Sequence, residues 1–276
     1  MLSYSAFVVL IWKVKAKMRV LSITNQKGGV GKTTTAINLG AALAATGKFV
    51  LIVDLDPQGN ASTGLGIEAR SRSKTTYDLL IDGAALEDVS IPTEIANLSI
   101  APATTDLSST DVELGQRDNR IFLLKEALSE SIDTYDYVLI DCPPSLSLLT
   151  LNALVASDAL LVPLQAEFFA LEGLSQLMLT VREVRETANP SLRIEGVVLT
   201  MHDARNRLSR QVEDDARSNL GELVFNTMIP RNVRLSEAPS FALPAIVYDP
   251  MSKGSQAYLD LAEELIDRET PRQEAS

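Results

Sequence analysis

The stretch Ser22-Ile23-Thr24-Asn25-Gln26-Lys27-Gly28-Gly29-Val30-Gly31-Lys32-Thr33-Thr34 restricts what this chain can fold into more than any other. An apolar run from Met18 to Ile23, with one arginine inside it, reads as a buried strand. Past the glycines, residues 35–45 space their apolar side chains as a helix does. Strand, glycine-rich loop and helix are the context of a phosphate-binding loop. Gly28, Gly29 and Gly31 let the backbone turn its N–H groups inward, and the helix adds its positive end. Lys32 can then reach the outer phosphates, and the Thr33 hydroxyl suits a Mg²⁺ ligand.

Two later stretches supply carboxylates. The apolar run 49–53 predicts a parallel strand covered on both faces, and it ends in Asp54-Leu55-Asp56-Pro57-Gln58-Gly59-Asn60. Alternation puts Asp54 and Asp56 on one side of an extended chain, at the strand end where ligands bind in open parallel sheets. Tyr137-Val138-Leu139-Ile140-Asp141 is a second apolar strand ending in aspartate, placed to hold Mg²⁺ directly or through water. Alone such an ending is a weak signal; after a phosphate loop it is a strong one.

The phosphate loop departs from the common pattern, with Gln26 at the first glycine position and a second lysine, Lys27, behind it. Lys27-Gly28-Gly29-Val30-Gly31-Lys32-Thr33 resembles the deviant loop of the ParA/MinD group of P-loop ATPases. Asp54 to Asn60 is similar to that group's first switch, and Asp141-Cys142-Pro143-Pro144 to its second. Ile229-Pro230-Arg231-Asn232-Val233-Arg234-Leu235-Ser236-Glu237-Ala238-Pro239-Ser240 resembles a signature of chromosomal ParA proteins. The resemblance runs from about Met18 to Ile266.

It implies a single-domain α/β P-loop NTPase, with a mostly parallel twisted sheet and helices on both faces. The implied nucleotide site is Lys27, Gly28, Gly29, Val30, Gly31, Lys32, Thr33 and Thr34, with Pro230 and Asn232 at the adenine. Thr33, Asp54 and Asp141 would serve Mg²⁺, and Asp56 would orient the attacking water. Lys27 would cross to the phosphates of a second subunit in an ATP-dependent homodimer. Arg231, Arg234 and Lys253 would contact DNA without sequence preference, and a ParB-type partner would stimulate hydrolysis. A membrane-surface ATPase of the MinD kind and a nucleotide-dependent regulatory scaffold are the alternatives. The polar C-terminal tail and the Pro230 to Ser240 run argue against the first, and the presence of both Asp56 and Asp141 against the second.

Composition narrows the field further. The chain has 276 residues, 46% of them hydrophobic, enough for one large α/β domain. A net charge of -11 argues against wholesale nucleic-acid binding but leaves room for a local basic face. One cysteine, Cys142, forms no internal disulfide, fits a reducing cytoplasm and leaves no ligand set for an iron–sulfur cluster. The only histidine, His202, is expected in a loop. Expected domain limits are an N-terminal extension over 1–17, the ATPase over 18–268 and a polar tail over 269–276. Residues 6–12 are apolar but far shorter than a bilayer span. They read either as a membrane-touching extension or, the favoured reading, as sequence ahead of a true start at Met18. A strand is predicted over 224–228, an amphipathic helix over 119–131 and a final helix over 255–266. The expected location is the cytoplasm, in association with the nucleoid.

Overall fold

The computed structural model describes residues 18–130, 134–167 and 170–269. The expected extension 1–17 lies outside the described residues, as do Phe168, Phe169 and the tail beyond Glu269.

Seven strands form one sheet: β1 (Arg19–Ile23), β2 (Val50–Asp54), β3 (Ile91–Pro92), β4 (Leu98–Ala101), β5 (Tyr137–Asp141), β6 (Ala159–Gln165) and β7 (Arg193–Thr200). Their order is β3-β4-β2-β5-β1-β6-β7, and only the β3 edge pairs antiparallel. Every residue of β2 and β5 is buried, as strands covered on both faces require. Alternation sends Val50, Ile52, Leu139 and Leu161 to one face, and Leu51, Val53, Val138 and Leu160 to the other.

Helix α1 (Lys32–Ala45) and the C-terminal helix α11 (Lys253–Glu269) cover the first face. Between them in sequence lie α2 (Asn60–Gly64), α3 (Leu86–Val89), α4 (Thr110–Glu113), α5 (Leu123–Ser129), α6 (Leu148–Ala156), α7 (Ala170–Thr187), α8 (Arg207–Leu220), α9 (Val233–Glu237) and α10 (Ala245–Tyr248). Side chains of α5 to α8 fill the second face. Helices on both sides of a mostly parallel sheet are the architecture the sequence predicts.

Three expectations are corrected. Residues 224–228 form no strand: Val224 makes a single bridge to Val197, and the N–H groups of Asn226 and Thr227 instead donate to the Glu264 carboxylate, each at 2.8 Å. A side chain has taken the place of a ladder partner. The helix expected over 119–131 begins only at Leu123. Leu124 and Leu128 are buried as expected, but Ile121 precedes the helix and packs half-buried against the α6–α7 cluster. The last helix also runs past Ile266 to Glu269, whose carboxylate accepts a 2.7 Å hydrogen bond from the Tyr137 hydroxyl.

Candidate active site

The phosphate loop is held from three sides. Asn25 donates to the Pro163 carbonyl at 2.8 Å and accepts from the Lys27 N–H at 3.0 Å. The Thr200 hydroxyl, at the end of β7, donates to the Val30 carbonyl at 2.8 Å. Gly29 and Gly31 carry φ of 74° and 90°, the left-handed backbone that lets the loop fold over its own N–H groups. Gly31 caps α1 without a side-chain bond, so the first N–H groups of that helix stay open to a ligand.

Lys32 is 7% exposed and donates to the Lys27 carbonyl at 3.1 Å. Burial lowers its pKa, opposed chiefly by the charge of Asp141. Lys27 is half-exposed and pairs with Glu167 at 3.3 Å, a carboxylate that also accepts from Gln165. Lys27, Glu167, Asp203, Asn206 and Arg231 line one open cleft of about 350 Å³.

Asp54 and Asp141 face each other in register on β2 and β5, on the α1 side of the sheet. Both are fully buried, yet their surroundings differ. Asp54 Oδ2 accepts from the Ser62 N–H at 2.9 Å and its hydroxyl at 2.6 Å, and Oδ1 from the Asp56 N–H at 3.2 Å. Burial still pushes the Asp54 carboxyl up, to about 6. Neither oxygen of Asp141 has a hydrogen-bond partner of good geometry. Burial and the facing Asp54 push its pKa well up, and the nearby Thr33 hydroxyl offsets this only in part. Asp56 is less enclosed, and its Oδ1 accepts from the Gln58 N–H at 3.0 Å.

A buried, unpartnered carboxylate beside Thr33 and a phosphate loop fits a hard divalent cation, which takes oxygen ligands. Asp141 with Thr33 is therefore the pair open to Mg²⁺. Asp54, expected in the same role, has its oxygens engaged by Ser62 and the Asp56 N–H, which ties it to the switch loop. Burial raises the Cys142 thiol, which suits a small apolar filler rather than a nucleophile.

At the edge expected to receive the base, the β7 end connects both halves of the expected site. Thr200 bonds to Val30, and two residues on His202 bridges to Pro230. His202, expected in a loop, is 8% exposed, with Nε2 3.0 Å from Glu213 Oε2. Asn232 uses its side-chain oxygen to cap α9, accepting from Arg234 N at 2.8 Å, which leaves its amide N–H₂ for a base. Of the three candidate DNA contacts, Arg234 is tied to Glu237 at 2.7 Å and to Asp249 at 3.1 Å. Arg231 and Lys253 are exposed, and no ion pair engages them among the described residues.

Ser62 and Arg72 lie in residues 61–118, a stretch with no motif of its own. Their contacts join segments tens of residues apart, and no local pattern marks such a contact.

Fold and site together define a P-loop nucleoside triphosphatase with two lysines in its loop. The family model described as "AAA domain" matches residues 18–194. The chain is 57% identical over 258 residues to the chromosome partitioning protein ParA of Caulobacter vibrioides, covering 93% of this chain and 97% of that protein. It is 53% identical over 247 residues to the sporulation initiation inhibitor protein Soj of Bacillus subtilis, covering 90% and 98%. Among solved structures, cobyrinic acid a,c-diamide synthase from Mycobacterium smegmatis with bound ATP analog and magnesium superposes with a TM-score of 0.81 at 37% identity, over 90% of this chain and 94% of that one. The chain belongs to the ParA/Soj family of partitioning ATPases. It is an ATPase, and its phosphate loop, Thr33 and Asp141 are a donor set that suits a nucleotide and a hard divalent cation. No helix among the described residues is long and apolar enough to cross a membrane.

Proposed function

We propose that this ATPase drives chromosome or plasmid segregation by cycling between a nucleotide-bound dimer on DNA and a released form. The observation that carries the reading is the unpartnered Asp141 carboxylate, buried beside Thr33 and Lys32. Lys32, the N–H groups of residues 28–34 and Thr33 hold the phosphates. Thr33 and Asp141 would hold Mg²⁺, which would supply charge neutralisation at the phosphates. Asp56 orients the attacking water.

Lys27 leaves Glu167 and reaches the phosphates of a second subunit across the dimer. An exposed ion pair of this kind is worth about 0–1 kcal/mol, so a nucleotide's charge readily outcompetes it. Pro230 and Asn232 receive the adenine. Arg231 and Lys253, with a smaller part for Arg234, bind DNA phosphates without reading bases. Dimerisation doubles these few charges, which reconciles a net charge of -11 with salt-sensitive DNA binding. A ParB-type partner accelerates hydrolysis and so releases the DNA, and the protein works in the cytoplasm on the nucleoid.

The deciding experiment is binding to non-specific duplex DNA, with and without ATP–Mg²⁺, at two salt concentrations, beside a liposome control. Binding that needs ATP, weakens with salt and spares liposomes supports the reading. Liposome binding without DNA binding replaces it with a membrane-surface ATPase.

A further inference from the structure

Arg72 lies outside every stretch that resembles the phosphate loop or the switches, yet its guanidinium touches the back of the first switch. It donates to the Ala103 carbonyl at 2.7 Å, to the Ile67 carbonyl at 2.7 Å and to the Thr63 hydroxyl at 2.8 Å, with a longer contact of 3.5 Å to the Gly59 carbonyl. Four acceptors on three segments converge on one planar group, which a lysine ammonium could not span.

The same segments are tied a second time. The Ala103 N–H donates to Ser62 Oγ at 3.0 Å, and Ser62 in turn donates to Asp54. The Ala103 backbone is thus held at its N–H by Ser62 and at its carbonyl by Arg72. This fixes α2 against the end of β4. The turn from Asp56 to Gly59 hangs between Asp54 and α2, closed by a 2.8 Å bond from the Gly59 N–H to the Asp56 carbonyl. Gly59 sits at φ 61°, and a Cβ there would stand 2.4 Å from Arg72 Nη1 and 3.1 Å from the Ala103 carbonyl oxygen. The guanidinium is packed against the very residue that closes the Asp56 turn.

We infer that Arg72 is a positioning residue for ATP hydrolysis, setting the angle of the Asp56–Gly59 turn and through it the Asp56 carboxylate. The inference rests on Asp56 as the residue that orients water. Arg72 touches neither the phosphate loop nor the adenine edge, so its loss acts on turnover and leaves nucleotide affinity in place. Misplacing a water-orienting group by about 1 Å costs on the order of 100-fold in rate, which sets the scale to look for.

The test compares R72A, R72K, D56A and G59A with wild type, reading kcat, equilibrium affinity for a non-hydrolysable ATP analogue and Tm. R72A is expected to lower kcat at least tenfold, with affinity within about threefold of wild type. R72K does not restore kcat, whereas added guanidinium at millimolar concentration partly restores it in R72A. G59A lowers kcat as well, and its effect shrinks in the R72A background, where the 2.4 Å clash with the guanidinium is gone and only the strained φ and the Ala103 contact remain. If R72A does not fold, R72Q carries the same readouts. Wild-type kcat in R72A, full rescue by R72K, or a parallel loss of kcat and affinity overturns the inference. If D56A keeps wild-type hydrolysis, the reading of Asp56 fails. Loss in D56A with none in R72A overturns the inference about Arg72 alone.

Discussion

Asp54 and Asp141 stand opposite each other in register at the ends of adjacent parallel strands, both fully buried, and only Asp141 lacks hydrogen-bond partners. Burial is the larger effect on both; the facing Asp54 charge raises the Asp141 pKa further, and Asp56 adds to the rise at Asp54. The arrangement is costly without a cation between the sheet end and the phosphate loop.

This gives a pH dependence for the protein free of nucleotide and metal. Asp54 has a folded pKa of about 6 against its ordinary 3.8, and Asp141 is also raised. A raised folded pKa leaves stability intact below the unfolded value, and stability is lost as pH rises through the folded one. Urea unfolding from pH 4.5 to 7.5 should therefore show wild type losing stability relative to D141N as pH rises, because only wild type must ionise a buried carboxyl at position 141. Added Mg²⁺ and ATP should remove the difference in favour of wild type. A pH-independent gap between the two proteins contradicts the account.

Lys27 and Lys32 should separate cleanly. Lys32→Ala removes a buried charge from the phosphate loop and should abolish ATP binding as read by titration calorimetry. Lys27→Ala should bind ATP within a few-fold of wild type yet remain monomeric by analytical ultracentrifugation with ATP–Mg²⁺. An ATP-dependent dimer in Lys27→Ala would mean that this lysine does not cross the interface.

Among the basic residues, the ion pairs of Arg234 set an order. Arg231→Ala and Lys253→Ala should each weaken DNA binding and lower the salt slope by about 0.9 per lost phosphate contact. Arg234→Ala, which starts from a side chain already paired with Glu237 and Asp249, should cost less. A larger loss in Arg234→Ala than in the other two reverses this order.

Glu264 takes the place of a strand partner for residues 226 and 227. Burial pushes its carboxyl up, but the N–H groups of Asn226 and Thr227 and the Arg268 guanidinium outweigh burial and hold it below the usual range. Its contribution is present above that range and lost as pH falls through the folded pKa. Glu264→Ala should destabilise the fold by about 2 kcal/mol at pH 7, with a smaller effect near pH 3.5. Denaturant titrations at both pH values check this.

Gly196 tests the packing on the other side of that segment. A Cβ there would lie 2.5 Å from the Phe225 ring and 2.7 Å from the Leu223 carbonyl oxygen. Gly196→Ala should cost about 1–3 kcal/mol by overpacking, measured as a fall in Tm.

Much of the site is written in local sequence. A phosphate loop needs its glycines, lysine and threonine in consecutive positions, because one turn of backbone makes the whole cradle. The apolar runs of β2 and β5 likewise announce buried parallel strands, and their terminal aspartates follow from where a strand must stop. What the sequence did not disclose are relations across distance. That Asp54 answers to Ser62 while Asp141 keeps no well-formed hydrogen bond depends on which way each carboxylate turns. That Arg72 grips Ala103, 31 residues on, depends on where β4 ends. Residues 224–228 look like a strand by composition, and only the arrival of Glu264 from α11 supplies their N–H groups with another acceptor. Local patterns determine which backbone shapes are cheap. Where two distant polar groups meet, packing of the whole sheet and its helices decides, since each buried donor or acceptor must find whatever partner the fold brings to it.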